Sequence, residues 1–402
     1  MIDPRERRIL LITCFGHFMS HFHMLVFPAL VLPLTSRMTL DLPHVLDLSF
    51  WMYLFFGVTA LPWGMLADRW GAKRLMMLFF AGGALSCLAA AHWIGSPQAY
   101  EIALAALGVF SGIYHPAGLG LISKELEHIS LGMGYNGMAG NLGLATAPLL
   151  AGLINWLWGP AAVYLTLAAL NVAGIALMLA FPLSESPPVR AGAAGGDNGN
   201  LNAFLILLVA MMLGGIAYRG ATVIFPAYFE LRSTWLIDAL TALWGRHLSG
   251  NVVATGITSV IFLAGIFGQY SGGRLAQRFD ARYCYLAFHL ITLPAVFLMA
   301  AAANLALGGL AMVYFFFLLG MQPAENTLVA RFSSKRLHHS AYGTKFVLTF
   351  GVGALAVKLV QHIESALGLS FVFPALGLVS VLLVSAILVL IRRTSPADGS
   401  RD

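Results

Sequence analysis

The chain has 402 residues, 59% of them hydrophobic and only 10% charged, with a mean hydropathy of +0.82 and a formal net charge of +6. Soluble domains carry about 25% charged residues, so this composition excludes a soluble globular protein and indicates an integral membrane protein. Its three cysteines, Cys14, Cys87 and Cys284, are scattered in or beside apolar segments, which excludes a disulfide framework and offers no metal-ligating spacing.

Twelve apolar runs are long enough to span a bilayer as helices: 9–34, 47–66, 75–94, 98–123, 130–155, 160–182, 201–230, 251–273, 283–303, 306–331, 339–364 and 370–391. The first imitates a signal peptide but is too long and lacks a small-residue cleavage site, so it is expected to be retained.

That first run holds GHFMSHFHMLVFPALVLPL at 16–34, with His17, His21 and His23 within two turns and Pro28 and Pro33 beyond them. An ionisable residue at membrane depth costs about 2.5–3.5 kcal/mol on insertion scales and therefore needs a reason. His17 and His21 share one helix face, while His23 points roughly opposite His21. Between the second and third runs lies GMLADRWGAKR, 64–74. Gly64 and Gly71 permit close approach and a tight turn, Asp68 can accept hydrogen bonds at a helix N-terminus, and Arg69, Lys73 and Arg74 suit an anionic leaflet or partner carboxylates. A plain basic loop explains the three cations but not the spaced glycines and Asp68. The reading is a conformational latch, closed when the site opens outward.

The fourth run contributes Tyr114, His115 and Pro116, and the fifth contributes Asn136 and Asn141 among packing glycines. A polar, Gly- and Pro-rich linker, 184–200, separates an N-terminal six-helix bundle (1–183) from a C-terminal one (201–402). The seventh run carries Tyr218 and Arg219 before Pro226. The loop 231–250 after it repeats Trp235, Leu236, Leu240 and Leu243 at helical spacing, as an interfacial helix over the outer mouth or an extension of the seventh span. GRLAQRFDARY, 273–283, is a second copy of the latch through Gly273, Arg278 and Arg282, weaker because Gln277 stands where the first has Asp68. The tenth run holds Gln322, Glu325 and Asn326, and the eleventh holds Lys345, placed to pair with Glu325. Lys358 and His362 are expected to snorkel. Phe22, Trp51 and Phe315 to Phe317 read as lipid-facing or packing groups.

The halves repeat. FPAL at 27–30 answers FPAY at 225–228, the two latch copies correspond, and YHPAGLGLIS at 114–123 answers MQPAENTLVA at 321–330. Aligning the first pair sets His21 opposite Arg219. A parallel internal repeat is the mark of a transporter with its site between two bundles. Basic residues fix the expected orientation. Arg5, Arg7, Arg8, Arg69, Lys73, Arg74, Arg274, Arg278, Arg282, Arg331, Lys335, Arg336, Arg392 and Arg393 fall on one side, against Arg37, Arg232 and Arg246 on the other. Both termini are thus expected in the cytoplasm, and the net charge needs no nucleic-acid partner.

GMLADRWGAKR, its weaker copy and the repeat resemble the major facilitator superfamily over the whole chain. The resemblance implies an all-α membrane fold of two six-helix bundles, alternating access, no cofactor and a monomer in the cell inner membrane. His17 with Pro28 and Pro33, and YHPAG in the fourth run, further resemble the fosmidomycin-resistance group of drug exporters. That group tends to place an acidic residue where this chain has His21, so its carboxylate chemistry is not carried over.

The expected function is secondary transport of a small organic anion, coupled to protons and exporting by antiport. Substrate is assigned to His17, His21, His115, Arg219, Tyr114, Tyr218, Asn136, Asn141, Gln322 and Asn326. The proton is assigned to His21, His115, Glu325 or Lys345. Import of a small carboxylate by symport uses the same architecture. A divalent-metal cargo on His17 and His21 is opposed by Arg219 and by the lack of Asp or Glu in the first run. An iron enzyme with histidine boxes is opposed by the scatter of His44, His92, His128, His247 and His289, with His338 and His339 in a basic loop; the chain is not expected to be an enzyme.

Overall fold

A computed structural model describes residues 3–127, 129–183, 185, 200–244, 248–333 and 343–394. The linker 184–199 apart from Glu185, together with His128, Arg246, His247, Lys335, Arg336, His338 and His339, lies outside the described residues.

Among these residues eleven helices are long and apolar enough to cross a membrane, and a pair bent by 43° makes a twelfth. The first span is α1 (Pro4–Met38), opened by a capping box between Asp3 and Glu6. The second is built from α2 (Leu42–Asp47), α3 (Phe50–Val58) and α4 (Ala60–Trp70), bent at Thr59. The third is α5 (Ala72–His92). The fourth breaks at Gly112 and Ile113 into α6 (Pro97–Ser111) and α7 (Tyr114–Glu125), and α8 (Ile129–Trp158) and α9 (Pro160–Ala180) complete the first half.

The second half runs α10 (Leu201–Arg232), α12 (Gly250–Arg278), α13 (Ala281–Leu298), then α14 (Asn304–Gly320) and α15 (Gln322–Phe332) broken at Met321. Its eleventh span, from Gly343, winds through a π-helical turn (Val347–Gly351) and a 3-10 turn (Val352–Ala354) into α16 (Leu355–Leu367); the last is α17 (Val372–Thr394). The fourth span of each half is therefore interrupted just before its proline. α11 (Thr234–Trp244) is a separate helix after a turn at Ser233, not an extension of α10, and the Leu236 amide donates to Asn304 Oδ1 at 3.1 Å.

Proline explains much of the tertiary bonding of α1. A proline lacks the amide that would bond the carbonyl four residues back. Pro28 frees the Met24 carbonyl, which accepts from Tyr53 Oη at 2.8 Å. Pro33 frees the Ala29 carbonyl, which accepts from Asn251 Nδ2 at 2.8 Å. The first bond ties α1 to α3 and the second ties α1 to the other bundle, so α1 stays one helix.

The GMLADRWGAKR loop and its second copy cap their following helices differently. Gly71 has φ +87°, a conformation a side chain resists, and the Ala72 and Lys73 amides at the start of α5 both donate to Glu185. In the second copy the equivalent residue is Asp280, which itself accepts from the Arg282 amide at 2.9 Å and pairs with the Arg282 guanidinium at 2.7 Å and Arg331 at 3.3 Å. Arg282 also donates to the Thr394 carbonyl at 2.8 Å. The second copy is thus tied within its own bundle through Asp280, a residue sequence reasoning passed over. Asp68, Arg69 and Arg278 make no hydrogen bond or ion pair among the described residues.

The bundles meet along a seam away from the termini. Asn155 Nδ2 donates to Asn251 Oδ1 at 3.3 Å and the Leu149 amide to Ser259 Oγ at 2.9 Å, while Asn141 bonds Gln269 near mid-depth. The backbones of Gly57 and Gly351 are so close that a Cβ on Gly57 would stand 2.0 Å from the Gly351 nitrogen. Lys358 pairs with Asp47 across the seam, its ammonium 4.9 Å from the centre of the Phe50 ring.

Candidate substrate site

At mid-depth α1, α7, α8 and α10 bring several of the expected residues together. The break before Tyr114 lets α7 present Tyr114 and His115 to α1. Tyr114 Oη donates to the Thr13 carbonyl at 2.7 Å and accepts from Asn136 Nδ2 at 2.7 Å. His17 lies against the Tyr114 ring, centroids 5.0 Å apart, and its Nδ1 is 2.8 Å from the Asn136 carbonyl. Only a protonated Nδ1 can bond a carbonyl, so Nε2 of neutral His17 is the free acceptor. That nitrogen is 3.2 Å from His21 Nε2. Gly140 makes room for this: a Cβ there would stand 2.6 Å from the His17 ring. His115 closes the group edge-on to both other imidazoles, at 5.3 and 5.7 Å between centroids. Phe56 from one bundle and Phe346 and Phe350 from the other enclose it.

Arg219, 2% exposed, projects from α10, which packs against α1. Its guanidinium carbon lies 3.7 Å from the centre of the Tyr53 ring and 5.8 Å from that of Tyr218. Tyr53 is held by its bond to Met24, so Pro28 indirectly fixes the platform under Arg219. Nε and Nη1 of Arg219 are buried with no hydrogen-bond partner among the described residues. A buried guanidinium keeps its proton, and orphaned charged donors are costly.

A second polar group sits in the C-terminal bundle. Lys345 pairs with Glu325 at 2.7 Å and also reaches Asn326, and Tyr285 Oη donates to Glu325 Oε2 at 2.9 Å. His289 lies against the Tyr285 ring at 4.8 Å, its Nε2 unpartnered among the described residues. Asn141 and Gln322 are joined through Gln269, whose Nε2 donates to Gln322 at 2.8 Å. These two residues thus take part in a bridge between bundles. His23 is held elsewhere, its Nδ1 2.9 Å from Ser111 Oγ and its Nε2 accepting from Asn171 at 2.9 Å.

Sequence reasoning missed Tyr53, Tyr285, Gln269 and Asn251. Gln269 and Asn251 carry a usable signal, an amide inside an apolar run. A tyrosine in such a run carries none, because its ring alone suits apolar packing.

Two six-helix bundles related by repeat, with charged and polar side chains gathered at mid-depth, define a secondary transporter rather than an enzyme. The Major Facilitator Superfamily profile matches residues 9–357, and the chain belongs to that superfamily. The fold is similar to that of a mutant peptide transporter POT in complex with alafosfalin, with TM-score 0.75 and 15% identity over 96% of this chain and 94% of that one. It is also similar to a POT family transporter in complex with 5-aminolevulinic acid, with TM-score 0.73 and 14% identity over 96% of each chain. A bacterial homolog to the human lysosomal transporter Spinster, in an inward-facing and unoccupied conformation, aligns with TM-score 0.67 and 14% identity over 97% of this chain and 95% of that one. No curated protein sequence matches the chain.

Proposed function

We propose that the protein moves a small organic anion across the cell inner membrane by alternating access, exporting it in exchange for protons. The observation that carries the anion is Arg219, a buried cation on an aromatic platform with two unused donors. A carboxylate or phosphonate would fork onto Nη1 with Nη2, or onto Nε with Nη2, and so give a partner to one of them. Tyr218, His21 and His115 are the remaining candidate donors to the anion. Alafosfalin and 5-aminolevulinic acid are the named ligands of two fold neighbours; small acidic solutes of that kind are the first candidates here.

Coupling is assigned to Glu325 and Lys345. They pair at 2.7 Å inside the C-terminal bundle, and rocking of that bundle would break the pair. Export rests on the resemblance of α1 and α7 to the fosmidomycin-resistance group. With both termini cytoplasmic, as the basic residues favour, the seam closes the outer side, and the free Asp68 fits a latch released in an inward-facing state. The protein acts as a monomer in this reading.

The test is thermal stabilisation of purified protein by carboxylates, phosphonates and cationic drugs, in native protein and Arg219→Ala. A ligand that binds only the folded state raises the melting temperature. Stabilisation by an anion, lost in Arg219→Ala, is expected; stabilisation by cations alone overturns the reading. Proton gradients across proteoliposomes should drive efflux in native protein and not in Glu325→Gln.

A further inference from the structure

The histidines of α1 and α7 also have a chemistry beyond hydrogen-bonding an anion. His17 is oriented by its Nδ1 bond to the Asn136 carbonyl at 2.8 Å, which turns Nε2 inward. Metal-ligating imidazoles are commonly held this way, by a carbonyl on the opposite ring nitrogen. Two imidazole nitrogens on one tetrahedral zinc-type ion, each about 2.0–2.1 Å from the metal, stand about 3.3 Å apart. Nε2 of His17 and Nε2 of His21 stand 3.2 Å apart. His115 supplies a third nitrogen, and ligand atoms of the three residues all lie within 4.8 Å of one another.

The geometry points to a divalent transition-metal site formed by His17, His21 and His115, whose fourth position is filled by an anion held on Arg219. Three imidazoles without a carboxylate select a zinc, cobalt, nickel or copper ion over magnesium or calcium. The inference rests on the anion reading above, because a bare dication beside a guanidinium has no counter-charge. An anion bridging the two neutralises both and gives one of the orphaned Arg219 donors a partner. The sequence brought His17 and His21 to one face; the fold adds His115, which spacing along the chain could not place.

The probe is Co²⁺, which absorbs visible light strongly when four-coordinate and weakly in water. Purified full-length protein in detergent, stripped with chelator, is titrated with Co²⁺ alone and then with acetate or methylphosphonate. One equivalent should produce the four-coordinate band. The band should vanish in His21→Ala, His21→Gln and His115→Ala variants that still melt cooperatively, and persist in His44→Ala and His362→Ala. The anion should tighten cobalt binding about tenfold in native protein and not in Arg219→Ala, since linkage between the two ligands is reciprocal.

No band in folded native protein, or a band surviving His21→Ala, overturns the metal site. Thermal stabilisation by the anions is measured separately in chelator-treated protein. If it persists where the band fails, the metal inference falls and the anion reading stands. A histidine-dependent band indifferent to anions and to Arg219 removes the anion reading and the fourth ligand with it.

Discussion

Single residues here act through what they leave unsatisfied. Pro28 strips the Met24 carbonyl of its helical partner and Tyr53 Oη restores one at 2.8 Å. Tyr53→Phe should therefore lower stability by about 1–3 kcal/mol, the cost of a buried group losing its bond, while leaving the ring under Arg219. Pro28→Ala returns an amide to Met24, so the double variant should recover most of that loss; thermal melts of the four proteins close the cycle, and simple additivity would refute the account. Gly140→Ala tests the neighbouring contact. Its methyl would overlap the His17 ring, and overpacking of this kind costs about 1–3 kcal/mol, read as a lower melting temperature than for Gly134→Ala, where a Cβ meets nothing within 4 Å.

At the level of elements, the apolar runs and the repeat made the twelve spans legible, because hydrocarbon demands long uncharged helices. The repeat of 64–74 at 273–283 was legible too, but only one of the two caps beside it. Glu185 reaches α5 from the linker and Asp280 caps α13 in place, and the chain-local pattern reveals only the second. Of the site, His17, His21 and Arg219 followed from ionisable residues in apolar runs, whereas the Tyr53 platform and the Tyr285 bond to Glu325 depend on which helix faces which. The Asp280 network predicts a pH dependence. The Arg282 guanidinium holds the Asp280 carboxyl well below the usual carboxylate range. A lowered folded value means the contribution is complete above the unfolded value, near pH 4, and is lost as pH falls through the folded one. Asp280→Asn should thus melt below native protein by a constant margin from about pH 5 to 8, and the margin should shrink below about pH 4; a margin that grows on acidification would contradict this.

For the whole molecule, the seam between bundles decides which end of the site is open. Asp47 and Lys358 join α2 to α16 at the end away from the termini, with side-chain exposures of 30% and 45%. A pair so wet contributes at most about 1 kcal/mol, so Asp47→Asn should move the balance toward the state open at that end by no more than about fivefold. Exchanging the charges, Asp47→Lys with Lys358→Asp, should restore the native balance. Asp68 works from the other end. Among the described residues its side chain makes no hydrogen bond or ion pair, so Asp68→Asn is expected to lose nothing here and to lose the proposed latch in the alternate state. The two neutral variants should therefore shift the equilibrium in opposite directions, measured as distance distributions between spin labels placed across the Asp47 end. Ligand should add to the contrast only if it binds the two states unequally. Shifts of the same sign in Asp47→Asn and Asp68→Asn would mean that GMLADRWGAKR stabilises the fold as a whole and does not choose between its two states.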